Sequence, residues 1–270
     1  MAAQIHKISK INLFRDKNVL GAMWSKTYNN YFSNQKNIDL FVNKIINYIP
    51  AKNKIKILYP CSGTGLLGEA LIKKLKRKGI GAQLFLIDIS KKQLNENHDP
   101  KTIKIQQDVL KMKQNELFDV IIMRSSLDYF PTEKLQIKVL SNLNNCLESN
   151  GVFFNQTASM PTLIERNLAD KIYKSNKKIG KRHFQCQKDI VSIYKKAGFS
   201  EPKKLGLAKP LIVTEQEHIE RYKINYEEIK RIQKIIQQVS KTKNVEITKN
   251  GYKMKFIFPI YATWKKSLKN

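Results

Sequence analysis

A short glycine-bearing turn between a predicted strand and a predicted helix constrains this chain most. Residues 54–75, KIKILYPCSGTGLLGEALIKKL, predict a buried strand, a tight turn over 60–65 and an amphipathic helix. Gly63 and Gly65 can adopt backbone angles that a side chain forbids, so the main chain can approach a ligand closely. The unpaired amides that begin the helix favour partly negative ligand atoms. The stretch is therefore typical of the first strand, turn and helix of a nucleotide-binding sheet.

Strands and helices are predicted to alternate after this turn. Four further apolar runs predict strands at 82–88, 102–106, 118–123 and 151–156, with helices at 91–97 and 132–147. Strands that are apolar throughout belong in a parallel sheet covered on both faces. Their alternation with helices predicts right-handed βαβ units and an α/β fold.

Helical segments are predicted before and after the alternating part. Residues 1–50 are expected to form a helical N-terminal cap of the same domain, since no glycine-rich or serine-rich linker follows them. Residues 51–270 form the main domain, with a helical insert at 215–240 made of two helices. The closing strand is predicted at 252–264, where Pro259 indicates a bulge or an edge position.

Composition limits the class of protein. Hydrophobic residues make up 41% of the 270 residues, which is enough for a substantial core. The sequence contains neither an apolar run long enough for a membrane helix nor the apolar block of a signal peptide. Cys61, Cys146 and Cys186 lie far apart and suggest neither a disulfide framework nor a metal site. We therefore expect no metal and a reducing, cytoplasmic compartment.

The formal net charge of +28 has two interpretations. A strongly basic chain suggests nucleic-acid binding. However, the excess is mostly lysine, accompanies frequent asparagine and isoleucine, and is spread over every predicted element. An AT-rich genome produces this composition whatever the function, and we favour that interpretation.

Two acidic residues follow predicted strands at the edge that binds ligands in open α/β sheets. Asp88 ends the second strand about 20 residues after the glycine turn, where a carboxylate can accept hydrogen bonds from both hydroxyls of a ribose. Asp108 follows the third strand at the same edge. An alternative role for Asp108 is to cap a short helix.

Five segments in this order and spacing resemble the class I S-adenosylmethionine-dependent methyltransferases: ILYPCSGTG, LFLIDIS, QQDVLKM, FDVIIMRSSLDYFP and LNNCLESNGVFF. The resemblance covers residues 38–156 well and continues more weakly to the final strand. It implies a Rossmann-like, doubly wound sheet of seven strands, six parallel and the last antiparallel, with helices on both faces. It also implies S-adenosylmethionine as the cofactor.

The resemblance implies a set of cofactor contacts. Gly63, Thr64 and Gly65 would contact the cofactor from the turn. Asp88 and Ile89 would contact its ribose, and Asp108 and Val109 its adenine. The set also includes Arg124 and Ser125 after the fourth strand, and Tyr59 and Cys61 at the end of the first.

Tyr59 and Cys61 depart from the family pattern. The family usually has an acid where Tyr59 stands, and that acid helps to hold the ammonium group of the cofactor. We expect backbone carbonyls or another acid, such as Asp128, to replace it. Cys61 stands in place of the family's first glycine. It is either a thiol whose pKa is lowered near a helix N-terminus or a small buried side chain.

Aromatic residues are candidates for the substrate pocket. Trp24, Tyr28 and Tyr31 lie before the first strand, in a segment that covers the cofactor in many members of the family. Tyr129 follows the fourth strand, near the expected methyl group. Packing is the alternative role for all four. We expect His183 to be structural, and no catalytic residue can be assigned, because methyl transfer needs a base only for a protonated acceptor.

The expected activity is methyl transfer to a small molecule. The segment RSSLDYFP after the fourth strand lacks the Asn/Asp-Pro-Pro-aromatic signature of amino methylation on adenine, cytosine or glutamine. An RNA methyltransferase is one alternative, and its RNA affinity would fall steeply with salt. A non-catalytic binding protein of the same fold is another, which would give no calorimetric heat with S-adenosylmethionine. A nicotinamide dehydrogenase would share the turn and Asp88 but have a third glycine later than Gly68.

Overall fold

The computed structural model of the chain describes residues 29–112, 116–175, 181–239 and 242–266, together with His6 and Lys10. Two helices precede the first strand, α1 (Asn29–Phe32) and α2 (Gln35–Ile45). The side chain of Asn34 accepts a hydrogen bond from the amide of Lys36 and so caps α2. Ile38, Phe41, Val42 and Ile45 recur at helical spacing and form the buried face of α2.

The first half of the sheet alternates strands with helices, as predicted. The elements are β1 (Lys54–Pro60), α3 (Leu66–Arg77), β2 (Gly81–Asp88), α4 (Lys91–Asn95), β3 (Ile103–Gln106), β4 (Phe118–Arg124), α5 (Glu133–Asn145) and β5 (Leu147–Gln156). Short 3-10 turns follow β3 at Val109–Lys111 and β4 at Leu127–Tyr129.

The second half mixes short strands with helices. Its elements are β6 (Ser159–Met160), α6 (Leu163–Ser175), β7 (Gln185–Cys186), α7 (Gln187–Lys196), β8 (Lys203–Thr214), α8 (Glu215–Tyr222), α9 (Tyr226–Gln237), β9 (Val245–Thr248) and β10 (Gly251–Trp264). The insert thus contains the two helices that were predicted. Thr214 caps α8 and Asn225 caps α9, each in a reciprocal pair with a glutamate three residues later.

The sheet has the order β3-β2-β1-β4-β5-β10, with β8 on the other edge of β10. Strands β1 to β5 are parallel. Because β10 runs antiparallel to both β5 and β8, β8 points in the same direction as the first five strands. The prediction of a Rossmann-like, mostly parallel sheet with one antiparallel strand is confirmed.

The number of strands was underestimated. Among the described residues the sheet has 10 strands, because β6, β7 and β9 join the seven that were predicted. Strands β6 and β7 contain only two residues each, too few for an alternating pattern to be visible. Strand β9 pairs with the start of β10 in a hairpin at Asn250-Gly251.

Pro259 lies inside the sheet, so the edge alternative was wrong. It pairs with Leu207 of β8, and β5 and β6 line the opposite edge of β10. The pairing with β8 shifts register on either side of it, between Phe256 and Phe258 and between Ile260 and Tyr261. These irregularities accommodate the missing proline N–H.

Both faces of the sheet are covered by helices. On one face, α2 and α3 pack against Ile57 and Tyr59 of β1. On the other, α5 and α7 pack against Leu58. A third apolar cluster joins α6 and α9 to the first half of β10. Within the described ranges, every helix falls short of the length and apolar character that crossing a bilayer demands.

Candidate functional site

The turn between β1 and α3 adopts a conformation that requires its glycines. Gly63 and Gly65 have φ angles of 57° and 84°. A Cβ atom on Gly63 would lie 2.7 Å from Oε1 of Gln93, and one on Gly65 would lie 2.6 Å from a methyl carbon of Leu86. A side chain at either position would therefore be strained and crowded.

Asp88 joins this turn to the end of β2. Its carboxylate accepts hydrogen bonds from the amide of Gly63 at 2.8 Å and from the amide of Ser90 at 2.9 Å. An ionised carboxylate offers about four acceptor sites, two of which these amides take. Asp88 therefore lies directly beside the glycine turn.

Asp108 has the capping role that was its alternative. Its side chain accepts a hydrogen bond from the amide of Leu110 at 2.9 Å and so caps the 3-10 turn after β3. Asp108 and Val109 also line the space beside Asp88. The cap therefore fixes the carboxylate at the rim of that space.

The predicted cofactor residues surround one cleft at the carboxyl ends of β1, β2, β3 and β4. The cleft has a volume of about 160 Å³, and all the predicted residues except Gly65 line it. Gly65 supports the turn from behind, against Leu86 and Asn97. The sequence did not single out Phe32, Ser33, Ser62, Leu66, Gln93, Gln107, Ser126 and Phe130, which also line the cleft.

Arg124 occupies the region where the family's acid is missing. Its Nη2 donates a hydrogen bond of 2.7 Å to the carbonyl of Phe32, and its guanidinium lies 5.5 Å from the centre of the Phe32 ring. Burial raises the pKa of Tyr59, while the charge of Arg124 and a hydrogen bond to it oppose that rise. This end of the cleft therefore presents a cation and a neutral phenol in place of a carboxylate.

Cys61 is not an activated thiol. Burial, followed by the charges of Asp88 and Asp108, raises the pKa of its thiol well above the ordinary value. The hypothesis of a lowered pKa was therefore wrong, because burial and these two carboxylates all disfavour the thiolate. Cys61 has a φ of 51° and packs against the core cluster that includes Leu58, as a small side chain would.

The four residues predicted to form the substrate pocket do not all lie at the cleft. Tyr129 lines the cleft. Tyr31 packs on Phe32 and Phe258, and its hydroxyl bonds to the carbonyl of Lys209, so it supports the wall from outside. Trp24 and Tyr28 lie outside the described residues. His183 bonds through Nδ1 to Asp170 at 3.1 Å and is not among the residues that line the cleft.

An inner compartment of about 30 Å³ adjoins the cleft. Phe32, Ser125 and Tyr129 line both spaces. Asp128 and Arg182 face the inner compartment and pair with each other, with 2.8 Å between Oδ2 and Nη1. Asp128 lines this compartment and is not among the residues that line the cleft, so it does not stand where the family's acid would stand. Sequence reasoning missed Arg182, because it follows no predicted strand and belongs to no motif.

A family model described as a methyltransferase domain matches residues 34–200, more than half of the chain. The chain belongs to the methyltransferase domain family. It is a class I S-adenosylmethionine-dependent methyltransferase, and S-adenosylmethionine is its cofactor. No curated protein matches this methyltransferase in sequence.

Solved structures share the fold of this methyltransferase at low sequence identity. The YcgJ protein from Bacillus subtilis is 11% identical with a TM-score of 0.69, over 86% of this chain and 99% of its own. An S-adenosylmethionine-dependent methyltransferase from Clostridium acetobutylicum is 14% identical with a TM-score of 0.53, over 92% and 98%. Phosphoethanolamine N-methyltransferase 2 from Haemonchus contortus is 15% identical with a TM-score of 0.56, over 94% and 59%.

Proposed function

We propose that this methyltransferase transfers the methyl group of S-adenosylmethionine to a small molecule. The observation that supports this proposal is the inner compartment beside the cleft. Its volume of about 30 Å³ has room for a small functional group of an acceptor. A nucleotide base within a polymer would need a wider space. The solved phosphoethanolamine N-methyltransferase was captured with phosphomonomethylethanolamine, a small acceptor, on the same fold.

In this proposal the cleft holds the cofactor through the residues that line it. The turn at Gly63 and Thr64 approaches the cofactor with its main chain, since both residues line the cleft and Gly63 has no side chain. Asp88 holds the ribose hydroxyls, and Asp108 with Val109 borders the adenine. When bound, the cofactor supplies a methyl group already activated by a positively charged sulfur.

Arg124 replaces the family's acid as the anchor for the amino-acid end of the cofactor. A guanidinium binds the carboxylate of that end, whereas the usual acid binds its ammonium group. The hydrogen bond from Arg124 to the Phe32 carbonyl supports this role, because it fixes the guanidinium beside the cleft that both residues line.

We also propose that the helical segments act as a cap and a wall of one domain. Residues 1–50 would form the cap, since α2 packs on β1 and β10 and Phe32 lines both spaces. The insert at 215–240 would form the wall, since the hydroxyl of Tyr222 in α8 accepts a hydrogen bond from Arg182.

The experiment separates small acceptors from RNA. Purified enzyme with methyl-labelled S-adenosylmethionine is added to a cell extract, which is then divided into low-mass and RNA fractions. We expect the label in the low-mass fraction. Label in RNA would support the alternative that the net charge of +28 favours. If neither S-adenosylmethionine nor S-adenosylhomocysteine gave calorimetric heat, the enzyme would not use the cleft for this cofactor.

A further inference from the structure

The inner compartment is apolar except for one pair of charged residues. Its walls are mostly aromatic and aliphatic, with Tyr173, Phe184, Phe256 and Phe258 among them. Asp128 and Arg182 are the only charged side chains among its lining residues in the part of the chain that the structure describes. The compartment therefore has no net charge when both are ionised.

The pair is held away from water. The side chains of Asp128 and Arg182 are 2% and 6% exposed. The guanidinium carbon of Arg182 lies 3.9 Å from the centre of the Tyr129 ring, and Nη2 donates to the hydroxyl of Tyr222 at 3.2 Å. Burying two charges costs free energy that hydrogen bonds must offset.

The hydrogen bonding of the pair is incomplete. Only one oxygen of Asp128 is bonded to Arg182, while Oδ1 of Asp128 and Nε of Arg182 are buried without a hydrogen-bond partner. Buried polar groups are nearly always hydrogen-bonded, so an unpaired acceptor and an unpaired donor on one buried pair need an explanation, and a role in binding a ligand is one. Two residues that line the compartment thus contain one acceptor and one donor without a partner among the described residues.

Gln136 holds both members of the pair in place. Its Nε2 donates to the carbonyls of Leu127 at 3.0 Å and of His183 at 2.7 Å. The amide of His183 in turn donates to the carbonyl of Asp128 at 3.0 Å. The turn that contains Asp128 and the segment that contains Arg182 are therefore preorganised before a ligand binds.

A hydroxyl group has both the donor that Oδ1 lacks and the acceptor that Nε lacks. It donates its proton to Oδ1 of Asp128, accepts from Nε of Arg182 and keeps a second lone pair for attack on a methyl group. A neutral amine would accept from Arg182 with its single lone pair and would have none left to attack the methyl group. An ammonium group would have no lone pair, and a carboxylate would have no proton to donate to Asp128.

We propose that the acceptor is a neutral small molecule bearing a hydroxyl group, and that Asp128 and Arg182 bind this hydroxyl as it is methylated. This inference rests on the proposed function. The hydroxyl oxygen forms a bond to the methyl carbon while the carbon–sulfur bond breaks and its electron pair goes to sulfur. The hydroxyl proton goes to Oδ1 of Asp128, so Asp128 is the general base and Arg182 orients the oxygen.

The first test uses the wild-type enzyme and the chemical shift of the transferred carbon. The enzyme is given S-adenosylmethionine labelled with ¹³C in its methyl group and a low-mass cell extract, and the products are examined by NMR. We expect a methyl group on oxygen. A methyl group on nitrogen, sulfur or carbon, or no transfer although S-adenosylhomocysteine binds, would overturn the proposal. Failure to bind S-adenosylhomocysteine would instead overturn the proposed function.

The second test uses Asp128→Asn with Asp119→Asn as the matched control, since Asp119 is also a buried carboxylate with a basic partner, Lys52, but lines neither the cleft nor the compartment. We expect Asp128→Asn to lower methyl transfer at least about 100-fold and to abolish its fall at low pH. Affinity for S-adenosylhomocysteine should stay within about twofold of the wild type, a change well below one kcal/mol. Wild-type transfer by Asp128→Asn, or equal losses in both variants, would contradict the role of Asp128.

Discussion

At the scale of single residues, Gly63 combines a strained backbone angle with a close neighbour. We expect Gly63→Val to abolish binding of S-adenosylhomocysteine in calorimetry, because a β-branched residue is strained at a φ of 57° and its side chain would displace Gln93, which lines the cleft. Gly79→Ala is the matched control. Gly79 also has a positive φ, 75°, but a Cβ there would meet nothing within 4 Å. Retained binding by Gly63→Val would show that the cofactor lies elsewhere.

Arg124 is expected to distinguish the two ends of the cofactor. Arg124→Gln should weaken S-adenosylhomocysteine about 10- to 100-fold, the value of a hydrogen bond between charged groups. It should leave 5′-methylthioadenosine unchanged, because that ligand lacks the amino-acid end. Arg77→Gln, at the exposed end of α3, is the control. Equal losses for both ligands would mean that Arg124 acts only through the shape of the cleft.

His218 makes folding stability depend on pH. Its ring is fully buried between the hydroxyls of Tyr252 and Tyr173, and burial followed by the charge of Arg182 lowers its pKa to about 3. As the pH falls below about 6.5, the unfolded chain takes up the proton first, so stability falls toward pH 3.

His218 lowers the free energy of unfolding at low pH by at most about 5 kcal/mol. This value is the difference between its pKa in the unfolded and the folded chain, converted to free energy. Urea unfolding of His218→Gln across this pH range should lack that part of the dependence. The exposed His98 provides the control variant His98→Gln, which should keep it. A pH dependence unchanged in His218→Gln would refute the assignment.

At the scale of elements, the inner compartment depends on how α5 holds two irregular segments. Gln136 of α5 donates to carbonyls of Leu127, Phe130 and His183. Gln136→Met keeps the volume but leaves buried carbonyls without a donor. We expect it to lower the free energy of unfolding by about 2 to 3 kcal/mol, measured in urea. Lys138→Met, on the exposed face of the same helix, should change it by less than about 0.5 kcal/mol.

Loss of methyl transfer in Gln136→Met should exceed any loss of S-adenosylhomocysteine affinity, because Gln136 bonds both Leu127, beside Asp128, and His183, beside Arg182. A stable variant with normal transfer would contradict the positioning role.

The elements that sequence predicts well are those whose pattern repeats. The strands β1, β2 and β4 have long apolar runs, and α8 and α9 are separated by the capping residue Asn225. Strands β6 and β7 contain two residues each and have no period. Their existence depends on pairing with each other and with β10, which is a property of the tertiary structure.

The candidate site also has a part that the sequence predicts and a part that it does not. The cleft residues lie at ends of predicted strands, so their positions follow from the topology. Arg182 lies in an irregular segment before β7 and meets Asp128 across 54 residues of sequence. Its surroundings combine the 3-10 turn after β4, the Gln136 bonds and the insert helix α8, and no sequence signature places these three beside one another.

At the scale of the whole molecule, the net charge of +28 opposes compaction. We expect the thermal unfolding midpoint to rise as sodium chloride increases from about 10 mM to about 200 mM, by the equivalent of about 1 kcal/mol, because salt screens this repulsion. Calorimetry at constant pH measures it. A midpoint that fell with salt would mean that the surface ion pairs, such as Lys195 with Glu201, outweigh the repulsion.

The bond between Arg124 and the Phe32 carbonyl has a thermodynamic consequence. One side chain touches both the cleft and the segment that precedes α2, so the two share a free energy of coupling. If contact with the segment before α2 increases the affinity for the cofactor, the bound cofactor stabilises that segment by the same free energy. Cofactor occupancy and resistance to proteolysis near Ser33 should therefore rise and fall together.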